Sequence, residues 1–413
     1  MSKLLYRIGV YSYSLGIYIA SFFNAKAKLW VKGRKSIFKN LRHEFSSNID
    51  PIIWMHCASL GEFEQGRPVI EAIKIKQPKY KILLTFFSPS GFEIRKNYKN
   101  ADWVFYLPID SPSNAQKFIE TVQPKIVIFV KYDFWYYYLT QLHNKKIPTY
   151  LISATFRYNQ LFFKWYGSLF KEMLISFEHI FVQDQGSKEL LKSISYSNCT
   201  VSGDTRLDRV MAVKLENKKF PIIDDFCSNS KILICGSTWP SDEAIIAEFA
   251  KTKTTLKLII APHQIDSKHL NQIKKTFDKY NPLFYSENPP TEKLKNASII
   301  IIDNIGILSY LYAYGDIAYI GGGFENGIHN TLEAVVYNIP ILFGKNYDKF
   351  EEAKMLIKEK IAYEINSAED ITEMSDKLLN EKRKKIIAQK CNNYIKQNIG
   401  ATDMILSYLK KKF

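Results

Sequence analysis

The stretch "MHCASLGEFEQGRP", residues 55–68, places the carboxylate of Glu62 directly after a glycine at the end of an apolar run. A carboxylate at such a position can accept a proton from a substrate as a general base. It can equally interact with the positive N-terminus of a following helix, and Pro68 suits the first turn of one. On the residues alone we interpret Glu62 as a helix-dipole partner, with the general base as the alternative.

A second candidate site lies in "YIGGGFENGIHNTLEAVVYNIPILFG", residues 319–344, where a predicted strand runs into glycines and then into a predicted helix. Glycines let a ligand approach the backbone closely, and a helix N-terminus presents free N–H groups, a combination that suits a phosphate. Glu333 lies three residues after Asn330, so it can complete a capping box; the alternative is a carboxylate that accepts ribose hydroxyls. The residues of this predicted site are Gly321, Gly322, Gly323, Gly327, His329, Asn330, Thr331 and Glu333.

Two further loops follow predicted strands of the same region. In "ILICGSTWPSDEAII", residues 232–246, small residues precede a helix entered at Pro240, where Ser241 can be a cap and Asp242 or Glu243 can favour the helix dipole. "IIAPHQ" ends the next strand. Three loops at one sheet edge would surround a single ligand. The additional candidate residues are Gly236, Ser237, Thr238, Pro262 and His263.

Length and composition indicate the number of domains and the kind of partner. A chain of 413 residues suits two domains. Lys and Arg outnumber Asp and Glu by 57 − 41 = 16, which favours an anionic partner without separating nucleic acid, anionic lipid and a phosphorylated substrate. The five cysteines are widely spaced without a C-x-x-C pair, as expected in a reducing compartment. We find no metal-binding motif and predict no metal site.

The N-terminus predicts contact with a membrane. Residues 8–23 carry no charge, and six Lys or Arg side chains follow within residues 26–39. The run is shorter than the roughly 20 residues that a spanning helix needs. No small-residue cleavage motif follows, and the basic flank would hold the remainder of the chain in the cytoplasm. The alternative is a buried amphipathic helix of the first domain.

Short β-rich runs alternate with helical patterns from residue 50 onward, which predicts βα units and parallel sheets. The strands form two series, and each series predicts one doubly wound domain. Polar residues with a proline mark the boundary between the two domains. The expected organisation is a membrane-associated segment 1–45, a first domain 46–210, a linker 211–230, a second domain 231–395 and a C-terminal helix 396–413 that crosses back to the first domain. Predicted strands lie near 52–57, 81–86, 103–107, 125–130, 148–152, 180–183, 199–202, 231–236, 256–262, 297–303, 316–323 and 339–344.

In this order, the chain contains "HCASLGEFEQGRPVIEAI", "LLTFFSPSGFE", "YLPIDSP", "VSGDTRLD", "GSTWPSDE", "APHQ" and "GGGFENGIHNTLEAVVYNIPILFG". Together, from about Trp54 to Phe350, they resemble the 3-deoxy-D-manno-octulosonic acid (Kdo) transferases of Gram-negative bacteria. The resemblance implies the α/β GT-B fold, with two doubly wound Rossmann-like domains, a cleft between them and an N-terminal membrane-associated helix. It also implies an inverting glycosyltransferase that works without a metal.

The implied reaction moves Kdo from CMP-Kdo, a substrate rather than a cofactor, to the lipid A precursor lipid IVA in lipopolysaccharide inner-core synthesis. The resemblance makes Glu62 the general base and implies that the glycine-loop and strand-end residues named above bind the CMP-sugar donor. Two motifs depart from the family: no arginine separates Pro262 from His263, and "VKYDFW" replaces a glutamate–threonine–glutamate run. Lys131 and Asp133 can serve the acceptor or form a surface ion pair. The predicted acceptor-binding residues are Ser59, Gly61, Arg67, Lys131 and Asp133.

The predicted partners are the CMP-sugar donor, the lipid A precursor and the inner-membrane surface at its cytoplasmic face, without nucleic acid. Residues 156–174 interleave aromatic and basic side chains, as a helix at a membrane interface does, or a core helix with snorkelling lysines. Two other functions stay open. One is a different GT-B sugar-nucleotide enzyme of envelope synthesis, either a UDP-sugar transferase or an epimerase; the other is a membrane-anchored nucleotide sensor that has no use for Glu62.

Overall fold

The computed structural model describes residues 2–252, 255–325 and 327–413. The chain divides into two compact units, unit 1 with Met1–Asp208 and Asn398–Phe413, and unit 2 with Arg209–Gln397. The C-terminal segment from Asn398 therefore belongs to the first unit. The stretch 211–230, expected to be a linker, lies within unit 2 and contains a helix, Pro221–Cys227.

Unit 1 is built on a parallel seven-stranded sheet of order β3-β2-β1-β4-β5-β6-β7. Its strands are β1 Ile52–Cys57, β2 Lys81–Phe86, β3 Trp103–Tyr106, β4 Ile126–Val130, β5 Thr149–Ala154, β6 His179–Val182 and β7 Cys199–Val201. Its helices are α1 Ser2–Ala20, α2 Ala25–Arg34, α3 Ile37–Phe45, α4 Leu60–Lys76, α5 Pro89–Arg95, α6 Pro112–Val122, α7 Tyr136–Asn144, α8 Ser168–Ile175 and α9 Gln185–Ser193. All seven strands were predicted, to within two residues at either end.

Both faces of this sheet are covered. Strand β1 is buried along its whole length, and its alternate side chains enter different clusters. Trp54 belongs to a cluster that includes Leu41 of α3, while Met55 belongs to a cluster that includes Ile405 of the C-terminal segment. A strand buried on both faces must be apolar throughout, which explains why the parallel strands appear in the sequence as continuous apolar runs.

The three N-terminal helices differ in burial. Helix α1 has no buried residue, and large apolar side chains such as Leu5, Ile8 and Phe22 are exposed on it. Asn24 caps α2, so the predicted apolar helix over 8–23 ends before the lysines. Helix α3, in contrast, buries Ile37, Leu41 and Phe45. The alternative of a buried amphipathic helix thus fits α3 and not α1. Among the described residues, no helix combines the length and apolar character needed to cross a bilayer.

Two local predictions for unit 1 were wrong. Helix α4 begins at Leu60, where Ser59 and Glu62 form a capping box, and Pro68 therefore lies inside the helix rather than at its start. Residues 156–174 are not one helix: a 3₁₀ turn, Leu161–Phe163, and α8 are separated at Gly167. A Cβ on Gly167 would lie 1.8 Å from the carbonyl oxygen of Leu161, so the turn needs a glycine there.

Unit 2 contains a second parallel seven-stranded sheet, of order β10-β11-β9-β8-β12-β13-β14. Its strands are β8 Lys231–Thr238, β9 Leu256–Pro262, β10 Leu283–Phe284, β11 Ile299–Ile301, β12 Ile317–Ile320, β13 Ile341–Phe343 and β14 Ala362–Glu364. Its helices are α11 Pro221–Cys227, α12 Pro240–Ala250, α13 Ser267–Thr276, α14 Thr291–Asn296, α15 Leu308–Leu311, α16 Leu332–Val335, α17 Glu351–Lys358 and α18 Ala368–Leu378. Strand β10 was not predicted because it has only two residues, and β14 was not predicted because Ala362–Glu364 is not a continuous apolar run.

Three helices complete the chain at the boundaries of the units. The division falls within α10 Thr205–Leu215 and within the last residues of α19 Glu381–Asn398. The last α-helix, α20 Ala401–Leu409, belongs to unit 1, where Asp208 accepts hydrogen bonds from Gly400 N and Thr402 N at 2.7 and 2.6 Å. The final aspartate of the "GDTRLD" motif therefore caps a helix that is distant in sequence.

Candidate functional site

The candidate residues of unit 1 meet where the strand order reverses. Strand β1 pairs with β2 on one side and β4 on the other. Glu62 follows β1, and Lys131 and Asp133 follow β4, so these residues lie at the carboxyl ends of the two strands that flank the switch point. Ligands of doubly wound sheets bind at this place.

Glu62 stands in the first turn of α4 and completes its capping box. Its Oε2 accepts hydrogen bonds from the backbone N–H of Ser59, at 3.1 Å, and from the Ser59 hydroxyl. The Ser59 hydroxyl in turn accepts from Gly61 N at 3.2 Å. The helix-dipole interpretation of Glu62 is therefore geometrically satisfied, and the same contacts fix the orientation of a carboxylate that is only partly buried.

Asp133 is the second carboxyl group of this edge. It is 4% exposed, and its Oδ2 accepts from Ala58 N at 3.0 Å. Burial, together with the nearby negative charge of Glu62, raises the pKa of Asp133 well above its usual range. A surface ion pair with Lys131 is not formed because Asp133 is not on the surface; the Lys131 ammonium lies 5.2 Å from the centroid of the Tyr132 ring.

A buried polar chain behind Asp133 was not predicted. The Nε2 of His56 accepts from the Trp135 indole at 3.1 Å, so Nδ1 carries the ring proton and donates to the Thr85 hydroxyl at 2.8 Å. The Thr85 hydroxyl also accepts from the Trp54 indole at 2.7 Å. Burial lowers the pKa of His56 to about 3, so its imidazole is neutral. Asp133 Oδ2 lies 3.8 Å from His56 Nε2.

The remaining predicted acceptor residues are engaged locally. Arg67 Nε donates to Glu71 at 2.8 Å one turn along α4, and its Nη1 lies 3.7 Å from Glu64. Lys131 has a backbone φ of +64°, in the left-handed region that a non-glycine residue adopts only when its surroundings impose it. Residues with such unusual backbone angles are common at strand ends where a sheet binds a ligand.

Asp110 was missed, although it follows β3 in the motif "YLPIDSP". Its two oxygens accept from Tyr137 N and Tyr138 N, both at 3.1 Å, and from the Tyr6 hydroxyl at 2.6 Å. Asp110 therefore caps the N-terminus of α7 and ties α1 to the sheet edge. Burial raises its pKa to about 6. The only sequence signal for Asp110 is its position after a strand, because its partners are up to about a hundred residues away in sequence.

The candidate residues of unit 2 also meet at a switch point. Strand β8 pairs with β9 on one side and β12 on the other. Residues 236–238, predicted as a loop, are the last residues of β8. The glycines 321–323 lie at the end of β12, and His263 N donates to Thr238 O at 2.9 Å. The structure therefore brings together the three loops that were predicted to surround one ligand.

The glycine loop packs against backbone. A Cβ on Gly321 would lie 2.3 Å from Ser237 O and 2.7 Å from Thr238 Cα, and a Cβ on Gly323 would lie 2.5 Å from Gly344 N. Gly322 has a φ of +92°. These glycines are required by the contact between neighbouring strand ends, before any ligand is considered.

Several N–H groups of this loop are already used. Gly321 N donates to Gly236 O at 2.9 Å, and Gly327 N and His329 N donate to carbonyls of the loop itself at 3.1 and 3.2 Å. Gly322 N donates at 2.8 Å to Asp242, which also accepts from the Tyr319 hydroxyl at 2.6 Å. These four N–H groups are thus not the phosphate donors that the sequence suggested.

The predicted helix after the loop is a single turn, α16, so it offers a weaker dipole than expected. Asn330 Oδ1 accepts from Leu332 N at 3.3 Å, and its amide donates to Glu333 at 3.1 Å. The contact between Asn330 and Glu333 joins their side chains, and the N-cap of α16 is Thr331, so the predicted capping box does not begin this helix. The Thr331 hydroxyl is fully buried without a hydrogen-bond partner in the described part of the chain.

Three aromatic rings stack beside the loop. His263 stacks on Trp239 with centroids 4.8 Å apart and on His329 with centroids 4.3 Å apart, while the Trp239 indole donates to His329 Nε2 at 2.9 Å. Burial lowers the pKa of His329 to about 4 and also lowers the pKa of His263. These rings are neutral at physiological pH and present a flat, weakly polar surface.

The start of α12 differs from the expected cap. Asp242 accepts from Trp239 N at 2.9 Å, whereas the Ser241 hydroxyl donates to Glu325 at 2.9 Å instead of capping the helix. Glu243 accepts from the Thr238 hydroxyl at 3.0 Å and lies 3.0 Å from His269 Nε2. Among the described residues, no group of three or more His, Cys, Asp or Glu side chains could hold a metal ion.

Comparison with known proteins shows similarity to one family of enzymes. Residues 32–209 match the family model of 3-deoxy-D-manno-octulosonic-acid transferase (kdotransferase). A 3-deoxy-D-manno-octulosonic acid transferase of Aquifex aeolicus is 29% identical over 354 residues, 83% of this chain and 90% of that protein. The enzyme of the same name from Haemophilus influenzae is 26% identical over 373 residues, 87% of this chain and 86% of that protein.

A solved structure supports the fold. The crystal structure of UDP-GlcNAc 2-epimerase from Neisseria meningitidis bound to UDP-GlcNAc superposes with a TM-score of 0.63 at 18% identity, over 87% of this chain and 100% of that one. At this identity the likeness concerns the fold alone, which is the GT-B arrangement of two doubly wound domains. By its sequence matches, the chain is similar along most of its length to Kdo transferases, which are glycosyltransferases.

Proposed function

We propose that this protein transfers Kdo from CMP-Kdo to the lipid A precursor lipid IVA, with inversion and with Glu62 as the general base. Similarity to the Kdo transferases supports Kdo transfer in lipopolysaccharide synthesis. The observation that carries the finer proposal is the placement of Glu62 at the β1/β4 switch point, on a helix turn that fixes its carboxylate.

The proposed step is a single displacement. Glu62 takes the proton of an acceptor hydroxyl, whose oxygen attacks the anomeric carbon of Kdo while the bond from that carbon to the CMP phosphate oxygen breaks. Both hydrogen bonds to Glu62 end on Oε2, which leaves Oε1 for the acceptor proton. CMP departs with the bonding electron pair.

Unit 2 is the proposed donor site. The neutral rings of Trp239, His263 and His329 offer a flat surface of the kind that stacks on a base. The unpartnered Thr331 hydroxyl is a polar group that a ligand could satisfy. Because four N–H groups of the glycine loop are spent internally, we assign the loop a shaping role in this proposal rather than the main contact with phosphate.

The proposed location is the cytoplasmic face of the inner membrane. The exposed apolar side chains of α1 and the basic residues that follow it support attachment to an anionic lipid surface. Exposed aromatic residues of the loop before α8, Tyr158, Trp165 and Tyr166, suit the same surface.

The test is release of CMP by the purified, detergent-solubilised protein given CMP-Kdo with or without lipid IVA. Release that depends on lipid IVA, with a Kdo-containing lipid product, is the expected result. Turnover of UDP-sugars instead of CMP-Kdo would replace the proposal by another sugar-nucleotide enzyme. Donor binding without turnover of any donor would indicate a sensor.

A further inference from the structure

An apolar groove runs between α1 and the sheet edge of unit 1. It consists of a cavity of about 440 Å³ and a second of about 290 Å³, and both are lined by Tyr13 and Phe87. Their volumes fall together within the range of about 300–1,000 Å³ that is usual for ligand sites. The larger cavity is also lined by Tyr6, Gly9, Val10, Ser14, Ile109, Asp110, Phe134 and Trp135.

The groove reaches the carboxyl ends of β2 and β4, where Phe87 and Phe134 follow the strands. Phe134 and Trp135 directly follow Asp133, which feels the charge of Glu62, and the Trp135 indole donates to His56 in the buried chain behind Asp133. From there the lining continues along α1 to the second cavity, where Ile17, Lys26 and Trp30 contribute. A molecule whose polar end is at Glu62 could therefore extend its other end into the groove.

Most of the polar side chains on the lining of the larger cavity are hydrogen-bonded within the protein. The Tyr6 hydroxyl donates to Asp110 at 2.6 Å, and the carboxylate of Asp110 also accepts from two backbone N–H groups. The Ser14 hydroxyl donates to Val10 O at 2.8 Å, and the Trp135 indole donates to His56. Satisfied donors and acceptors leave an apolar surface, which favours hydrocarbon over a sugar or a phosphate.

The wall of the groove carries exposed apolar side chains on its other side. Leu4, Leu5, Ile8, Leu15 and Ile19 of α1 are each exposed by half or more. A helix with one apolar face outward and another over an apolar groove is suited to an interface between a bilayer and the protein. Lys26 at the far cavity adds a positive charge where the groove approaches an anionic headgroup region.

We propose that this groove takes one acyl chain of the acceptor lipid, so that the chain beneath α1 places the acceptor sugar at Glu62. This inference rests on the proposed function, since it names the part of the acceptor that unit 1 recognises. It predicts that the enzyme distinguishes acylated from deacylated acceptors through α1, and not only through attachment to the membrane.

Two glycines of α1 provide a matched test. A Cβ at either Gly9 or Gly16 meets no atom within 4 Å, so a larger residue fits at both positions. Gly9 lines the groove, whereas Gly16 lies outside the lining of both cavities. Gly9→Phe therefore fills the groove, while Gly16→Phe adds the same apolar area and the same helix propensity elsewhere on the helix.

The experiment measures transfer by the full chain in mixed micelles to tetraacylated lipid IVA and to its fully deacylated, water-soluble disaccharide phosphate. We expect Gly9→Phe to raise KM for the acylated acceptor by about tenfold or more, because the chain loses its buried site. We expect no more than about a twofold change with the deacylated acceptor, and Gly16→Phe to match the wild type with both. Equal losses with both acceptors, or an unchanged Gly9→Phe enzyme, would overturn the proposal.

A binding readout separates this proposal from the proposed function. Lipid IVA with a photoreactive group at an acyl end should label the peptides that contain residues 9–14, 87 and 134–135 without any donor, and Gly9→Phe should abolish that labelling. Equal labelling by a photoreactive phospholipid would assign the groove to bulk bilayer lipid and contradict the proposal. A wild type that is labelled but transfers nothing would contradict the proposed function alone.

Discussion

At the switch point of the first sheet the candidate residues are ionisable side chains, whereas at that of the second sheet they are mostly glycines and other small residues. Glu62 and Asp133 are positioned by hydrogen bonds from the first turn of α4 and the residue before it. Gly321 and Gly323 are instead positioned by direct contact of backbone with backbone. The comparison separates two requirements: the first edge needs particular functional groups, and the second needs the absence of side chains.

The largest effect is expected at the second edge. Gly321→Ala would place a methyl group 2.3 Å from Ser237 O, and backbone on both sides cannot move without separating β8 from β12. We expect a loss of about 3 kcal/mol in stability and a rise of about a hundredfold in the Kd for CMP-Kdo. Thermal unfolding and calorimetric titration measure the two quantities.

Gly16→Ala is the control for that substitution, because the added methyl group meets no atom within 4 Å. It should leave the Kd unchanged and should not lower the unfolding temperature, because alanine is the better helix former. A Gly321→Ala protein that binds CMP-Kdo as the wild type does would show that steric closeness at this edge is unimportant for the donor site.

A pH-dependent effect is expected at the first edge. The pKa of His56 is about 3 in the folded chain and near 6.5 in the unfolded chain. The contribution of the neutral imidazole to the free energy of unfolding is therefore fully present above about pH 6.5, and it is lost as the pH falls from there toward about 3. The loss is about 1.4 kcal/mol per pH unit, or about 2 kcal/mol at about pH 5. Denaturant midpoints at about pH 7 and about pH 5 measure it.

His56→Gln can keep hydrogen bonds to Thr85 and Trp135 but cannot titrate. The difference between the two midpoints should therefore be smaller in this variant than in the wild type. An identical pH dependence would mean that His56 is not the buried neutral group that the structure indicates.

The smallest effect is expected at Ser59. Ser59→Ala removes the side-chain half of the capping box but leaves Ser59 N to bind Glu62 through the backbone. We expect a loss of about 1 kcal/mol in stability and a fall in transfer of less than about tenfold. A far larger fall in transfer, measured by CMP release, would make the serine hydroxyl part of the chemistry.

Much of the fold could be predicted because buried parallel strands are continuous apolar runs. Twelve of the strand positions were visible in this way; β10 has only two residues, and β14 is not an apolar run. The start of α4 was placed too late, because Pro68 is a stronger helix-start signal in sequence than the Ser59–Glu62 pair that begins the helix. The helix over 156–174 was wrong for a steric reason at Gly167 that sequence does not reveal.

The candidate sites show a similar limit. Strand-end motifs indicated which loops gather at each switch point, and the structure brings those loops together. Tertiary partners could not be predicted: Asp110 caps α7 and holds Tyr6, and Asp242 takes the N–H of Gly322. A glycine-rich loop in sequence suggests free N–H groups, but their use depends on an aspartate in another helix.

The central claim is that the carboxylate of Glu62 is the base, and Glu62→Gln tests it most directly. A glutamine can still accept the hydrogen bonds of the capping box, so the helix start and the stability should be retained while proton transfer is lost. We predict a fall of at least about a hundredfold in lipid IVA-dependent CMP release, with unchanged Kd for CMP-Kdo and unchanged unfolding temperature. Release within about tenfold of the wild type would contradict the claim and leave Glu62 as a helix cap.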